Sequence, residues 1–202
     1  MKNVYMLFIA LLVVFVITAC TDREADLDNQ LAMIKSAENM TVISTMSAND
    51  EPWMTVTHRI DGDVRYTKTE MVMGELLYIT ETYTLTEGDD DVEYERIMEQ
   101  GPWLRTTLDE PVVDDEVMPG DAQAEWFTYR DGVYELDPAR VEDVLGDHPD
   151  EDVSVTITLE DDDLTLRIYY TMGEGDMMVE VVFQAFGSTV VELPDFSAEE
   201  EE

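Results

Sequence analysis

Residues 153 to 171 read VSVTITLEDDDLTLRIYYT. Val153, Val155, Ile157 and Leu159 alternate with Ser154, Thr156, Thr158 and Glu160, and after three aspartates Leu164, Leu166, Ile168 and Tyr170 alternate with Thr165, Arg167, Tyr169 and Thr171. A period of two is that of a β-strand, in which successive side chains point to opposite faces and the apolar set gathers on one of them. Asp161-Asp162-Asp163 cannot be buried between the two strands, so the chain must reverse there as a tight hairpin.

The same period spreads outward in both directions. It begins near Thr41 and predicts further strands at 53–60, 63–71, 76–86, 92–99, 103–108, 125–130, 133–136, 177–185 and 188–193. The breaks between them carry turn chemistry: Asp61-Gly62, Glu87-Gly88-Asp89, Asp131-Gly132 and Gly173-Glu174-Gly175-Asp176. Short strands joined in sequence by hairpins predict an antiparallel meander. Residues 109–124, with Pro111, Pro119 and Gly120 among acids, predict a long loop. Asp137-Pro138 then caps and opens a helix with Val141, Val144 and Leu145 on one face, ended by Gly146. A second helix is expected within 21–37, where Leu27, Leu31 and Ile34 follow at spacings of four and three. The expected fold is mainly β with some α (α+β), an antiparallel meander bearing an N-terminal and a mid-chain helix.

Charge narrows the partners. The chain holds 48 Asp and Glu against 11 Lys and Arg. Only Lys2 of those bases lies in residues 1–19, so the remainder carries ten bases against all 48 acids, a net charge near −38. A field of that sign repels nucleic acid and anionic headgroups, which excludes nucleic-acid binding. Acids spread through every turn, with lysine nearly absent beyond Lys35 and Lys68, suit a surface adapted to high salt, or simply an acidic soluble one.

The amino terminus speaks to location. Lys2 precedes an uncharged apolar run from Val4 to Ile17, too short for a comfortable bilayer span but suited to a secretory signal. Ile17-Thr18-Ala19-Cys20, which holds the only cysteine of the chain, resembles the bacterial lipobox. That resemblance implies cleavage before Cys20, a thioether-linked diacylglycerol on its sulfur and an acylated new N-terminus; an ordinary signal or an uncleaved anchor is the alternative. Two acyl chains anchor stably, at about 0.8 kcal/mol per buried methylene. The expected organisation is a signal peptide at 1–19, a lipidated tether and helix at 20–37, a β domain at 38–196 and an acidic tail at 197–202.

Order of elements adds a second resemblance. A lipobox, a short helix, a long antiparallel meander, a helix before the last hairpins and the closing VVFQAFGSTVVELPDF of residues 181–196 resemble the LolA-type periplasmic carriers and the mycobacterial lipid-carrier lipoproteins. Phe183 to Pro194, with Phe186-Gly187 at a turn and Leu193-Pro194 after it, carries most of the likeness; Trp126-Phe127-Thr128-Tyr129 followed by Tyr134-Glu135-Leu136 adds to it. The resemblance implies a curved half-barrel sheet wrapped around helices, with an apolar cavity for an acyl chain or a lipidated peptide. It implies no catalytic residue.

Candidate chemistry is sparse. His58 shares a strand face with Met54, Val56 and Ile60 and reads as a core residue, while His148 sits in a turn; neither has a cysteine or second histidine nearby, so zinc is not expected. Asp89-Asp90-Asp91, Asp114-Asp115-Glu116 and Asp161-Asp162-Asp163 lack the spaced acids, glycine and distal glutamate of a calcium loop and read as solvated turns. No nucleophile elbow or phosphate loop occurs. Three charges stand out: Lys68 falls in phase with Val64 and Tyr66, Glu81 with Ile79 and Tyr83, and Arg96 with Val92 and Tyr94. They form either a polar patch in a binding cavity or a position where a bulge or edge shifts the register, since an unpaired buried charge is costly. Trp53, Trp103, Trp126 and thirteen Met supply adaptable apolar surface or core filling. The expectation is an extracytoplasmic lipoprotein on the outer face of a bacterial membrane, with neither cofactor nor metal and without enzymatic activity. It would bind an apolar or lipid-like ligand or, alternatively, contact another envelope protein over a filled core.

Overall fold

The computed structural model describes residues 23–108, 122–146, 152–160, 163–172 and 175–196. Cys20 with the signal and tether, residues 109–121, His148, Asp161-Asp162 and the acidic tail lie outside them.

The chain is mainly β. Helix α1 covers residues 23–36. It leads into β1 (Asn39–Ala48), β2 (Glu51–Asp61), β3 (Val64–Met73), β4 (Leu76–Glu87), β5 (Asp90–Ile97) and β6 (Leu104–Thr107). After a 3-10 turn at Ala124–Trp126 come β7 (Phe127–Arg130), β8 (Val133–Leu136), a second 3-10 turn at Pro138–Arg140 and α2 (Val141–Leu145), then β9 (Ser154–Glu160), β10 (Asp163–Met172) and β11 (Gly175–Gln184). All eleven strands join one antiparallel sheet in the order β6-β5-β4-β3-β2-β1-β11-β10-β9-β8-β7, and it is not closed.

The β9–β10 strands pair as their period requires. Leu159 pairs with Leu164, Ile157 with Leu166 and Glu160 with Asp163. Other turns follow local chemistry. Asn49 and Asp50 between β1 and β2, and Asp131 and Gly132 between β7 and β8, all take positive φ. That two-residue geometry matches the twist of the flanking strands and favours Asn, Asp and Gly.

The sheet is two meanders run together. Strands β1 to β6 step away from the centre one way, β7 to β11 step back from the far edge, and β11 pairs with β1 in a register joining Val42 to Phe183. Hairpin rules yield each meander; the β1–β11 seam depends on which apolar faces must be buried together, a long-range requirement.

Directly paired residues share a face, so the registers divide the sheet into two. On one face Met40, Val42, Val155, Ile157, Leu164, Leu166, Val181 and Phe183 meet Leu27, Leu31 and Ile34 of α1 and Val141 and Val144 of α2 in the core. Leu27 is 0% exposed and the spacing i, i+4, i+7 turns all three α1 side chains to the sheet. Each such burial stabilises by about 1.5–3 kcal/mol.

Two expectations change. The mid-chain helix lies where Asp137-Pro138 predicts it, and the Asp137 carboxylate accepts from the Ala139 amide at 2.9 Å. It begins as a 3-10 turn and spans only Pro138 to Leu145 before Gly146, at φ 72°, ends it. Residues 188–193 form no strand. Ala185 and Gly187 take positive φ and turn the chain off the sheet edge-on path, so that residues 187–196 cross the opposite face as a strap.

Candidate functional site

The strap explains the first cluster of polar residues. Asn39, Asp61 and Thr189 form its clasp: the Thr189 amide donates to Asn39 Oδ1, Asn39 Nδ2 donates to Asp61 Oδ1 at 3.0 Å, and the Val191 amide donates to Asp61 Oδ2 at 3.2 Å. The hydroxyls of Thr41 and Thr189 meet at 2.9 Å, both buried. Beyond the clasp the strap ends on Phe196. Its ring stacks on Tyr94 with centroids 3.9 Å apart and meets Tyr83 and Trp103 edge-on at 5.6 and 5.3 Å. Offset and edge-on arrangements are those favoured by ring quadrupoles.

Lys68, Glu81 and Arg96 stand on this strap face in one row. Lys68 pairs directly with Glu81 across β3–β4, and Glu81 with Arg96 across β4–β5, with no register shift in either pair. Arg96 holds Glu81 in an ion pair, with Nε donating to Oε2 at 3.1 Å, and lies over Trp103 at 4.4 Å from the ring centroid. Tyr66 donates to the other carboxylate oxygen at 2.8 Å. Lys68 Nζ donates to Glu70 at 3.1 Å. Glu81 and Arg96 side chains are 13% and 25% exposed, so the pair is shielded but not sealed.

Electrostatics follow from those contacts. Burial pushes the Glu81 carboxyl up, but hydrogen bonds from Arg96 and Tyr66 and the charges of Arg96 and Lys68 outweigh it and hold it below the usual carboxylate value. The Tyr66 hydroxyl is pushed well above its ordinary value, by burial first and then by the bond to Glu81. Such a network fixes the position of planar and charged groups; it offers no base poised near neutrality and no nucleophile.

The other face carries an apolar row. Val155, Ile168, Val179, Met46, Met54, Met71 and Tyr78 are successive direct partners across seven strands. The row starts in the core at Val155, passes through Ile168 and Val179, which pack against that core, and continues to Met46, Met54 and Met71, which are half-buried and stand outside it. His58, two residue steps up β2 from Val56, faces the same side. Its Nδ1 and the Thr67 hydroxyl lie 2.9 Å apart, and burial lowers its pKa. Clefts of about 340 and 310 Å³ flank α1 against residues 122–129, lined by Glu24, Asp28, Lys35, Glu125, Tyr129 and Tyr134 among others. Among the described residues no three His, Cys, Asp or Glu side chains converge as metal ligands.

Sequence periodicity placed the Lys68, Glu81 and Arg96 phases; it did not place the strap or Phe196, because residues 188–193 alternate like a strand. The methionine row was also out of reach, because it exists only once the β1–β2 and β2–β3 registers are known. Comparison with known proteins finds no matching family model, no matching curated protein and no matching solved structure.

Proposed function

We propose that the chain is a non-enzymatic, LolA-like lipoprotein, lipidated at Cys20 on the outer face of a bacterial membrane, whose open sheet curves as a half-barrel and holds an apolar or lipid-like ligand on its helix-bearing face. The observation that carries this reading is the row Met46-Met54-Met71, which continues the core outward on that face without joining it. Thioether side chains are unbranched, flexible and polarizable, so they adapt to acyl chains of differing length. Burial of apolar surface drives such binding, and no bond need be made or broken. Fluorescent acyl-chain binding tests it: Met54→Lys places a charge in the row and weakens the probe by about tenfold, near 1.4 kcal/mol. Unchanged affinity in both Met54→Lys and Met71→Lys, with the fold retained, contradicts the reading.

One observation favours a second reading, an interaction lipoprotein that meets another envelope protein. The core beneath α1 is filled by Leu27, Ile157, Leu164 and Phe183, all essentially without solvent contact. In that case no acyl probe saturates the protein in stoichiometric amount.

A further inference from the structure

The ends of the sheet differ. Among the described residues eleven large apolar side chains stand exposed, and eight of them, Val72, Met73, Leu76, Leu77, Tyr78, Ile97, Met98 and Leu104, lie together at one end of β3 to β6. Their centre is the β3–β4 hairpin, closed by the two-residue turn Gly74-Glu75 between the paired Met73 and Leu76. In this hairpin the alternation of apolar and polar residues breaks down. Val72 and Leu77 pair on the strap face, Met73 and Leu76 on the helix face, and all four are exposed, so the tip is apolar on both sides. A hairpin facing water gains nothing from that, and an exposed apolar patch of this kind marks a contact surface.

Charge points the same way. The strand ends opposite the tip carry the acid-dense turns Asp61-Gly62-Asp63 and Glu87 to Asp91, whereas the tip turn holds the single acid Glu75 and the other acids at its end of the sheet, Asp50, Glu51, Glu99 and Asp176, stand on neighbouring strand ends outside the hairpin. We propose that the β3–β4 tip dips into the interfacial layer of the membrane that holds the chain, with Tyr78 at its rim. This rests on the reading of Cys20 as the lipid anchor. Only Thr21 and Asp22 separate Cys20 from Arg23, the first described residue, so at about 3.5 Å per residue the bilayer surface is held within roughly 10 Å of the start of α1. That start lies on the far wing, where the Tyr134 hydroxyl donates to the Arg23 carbonyl at 2.9 Å. From β8 to β3 is six strand spacings, roughly 29 Å at about 4.8 Å each. Anchor and tip are thus two separate contacts that set how the sheet stands on the membrane, with the densest acids turned away from anionic headgroups. Aromatic and aliphatic side chains at the end of a rigid hairpin suit shallow, reversible insertion.

The test uses the mature acylated chain in phosphatidylcholine vesicles. With Cys20 acylated, Leu77→Cys adds a unique thiol for an environment-sensitive fluorophore, and Asp89→Cys puts the same label at the acidic end. The expected result is a blue shift at position 77, with quenching by lipids brominated along the acyl chain, and neither effect at position 89. An unquenched label at 77, alike with and without vesicles, overturns the proposal. So does a blue shift at 77 that needs only higher protein concentration, because the occupant is then a second copy. The mass of the Cys20 peptide reads the anchor separately, and a Cys20→Ser, Leu77→Cys chain keeps position 77 the only thiol if Cys20 proves unmodified: quenching at 77 in that chain keeps the tip contact and removes the anchor, and an acylated Cys20 with an unquenched 77 does the reverse.

Discussion

Glu81 shows how a strand can carry charge inward when neighbouring strands bring it a cation and a hydroxyl. Arg96, Tyr66 and the nearby Lys68 all favour its ionised form against the cost of burial. Arg96→Leu leaves that carboxylate shielded and without its ion partner, and the expected loss of stability is about 1–2 kcal/mol, the buried-pair value reduced for solvent access. Urea unfolding measures it, and Glu81→Leu added to Arg96→Leu should recover part of the loss, since two apolar groups leave nothing unpaired. The pH sense is fixed by direction: the folded Glu81 value lies below its unfolded 4.5, so its contribution is present above pH 4.5 and is lost as pH falls through and below it. His58 acts in a higher window. Burial lowers its folded value below 6.5, so the unfolded chain binds the proton first and stability drops as pH falls below 6.5. His58→Gln keeps a partner for Thr67 and removes that slope; an unchanged pH profile between pH 6.5 and 5 would show that the imidazole is not shielded.

Elements here are held by a few residues each. Leu27 anchors α1 with no solvent contact, and Leu27→Ala is expected to cost about 2–5 kcal/mol in unfolding free energy because the emptied site lies between a helix and a sheet that cannot fully collapse. Asn39 anchors the strap through three hydrogen bonds, to the Thr189 amide, the Thr189 carbonyl and Asp61. Asn39→Ala should free residues 187–196 and raise amide exchange at Thr189 and Val191 well above that of β11, while exchange in α1 stays unchanged. Local signals were enough for α1, for a helix after Asp137 though not for its 3-10 start, and for ten of the strands, because periodicity, caps and turn residues act within a few positions. They failed at residues 188–193, where Thr189, Val191 and Leu193 alternate as a strand would but find no free neighbour: β1 already pairs on one edge with β2 and on the other with β11. The candidate site split in the same manner. Phase along β3, β4 and β5 brought Lys68, Glu81 and Arg96 to one face, whereas only register between strands set them in one row and aligned Met46, Met54 and Met71.

At the scale of the molecule, one sheet buries opposite faces in its two wings. Strands β7 to β11 bury the face beneath α1 and α2, and β3 to β5 bury the other, where the strap lies and where Val92 is 0% exposed. The helix-bearing face of β1 to β3 is thereby left half-covered, with its methionines, and that is the surface assigned to the ligand. The net charge near −38 opposes this compact form by self-repulsion. Raising salt from about 0.01 to about 1 M shortens the screening length from roughly 30 to 3 Å, so the urea midpoint should rise across that range, and a flat midpoint would show the acids to be too dispersed to matter. The central claim is that an anchored chain holds an apolar ligand on that face. Native mass spectrometry of the chain released from bacterial membranes tests it most directly: the account predicts a thioether-linked diacylglycerol on Cys20 together with one further, non-covalent lipid per chain that is lost in Met54→Lys, and a chain that repeatedly carries no second lipid would contradict it.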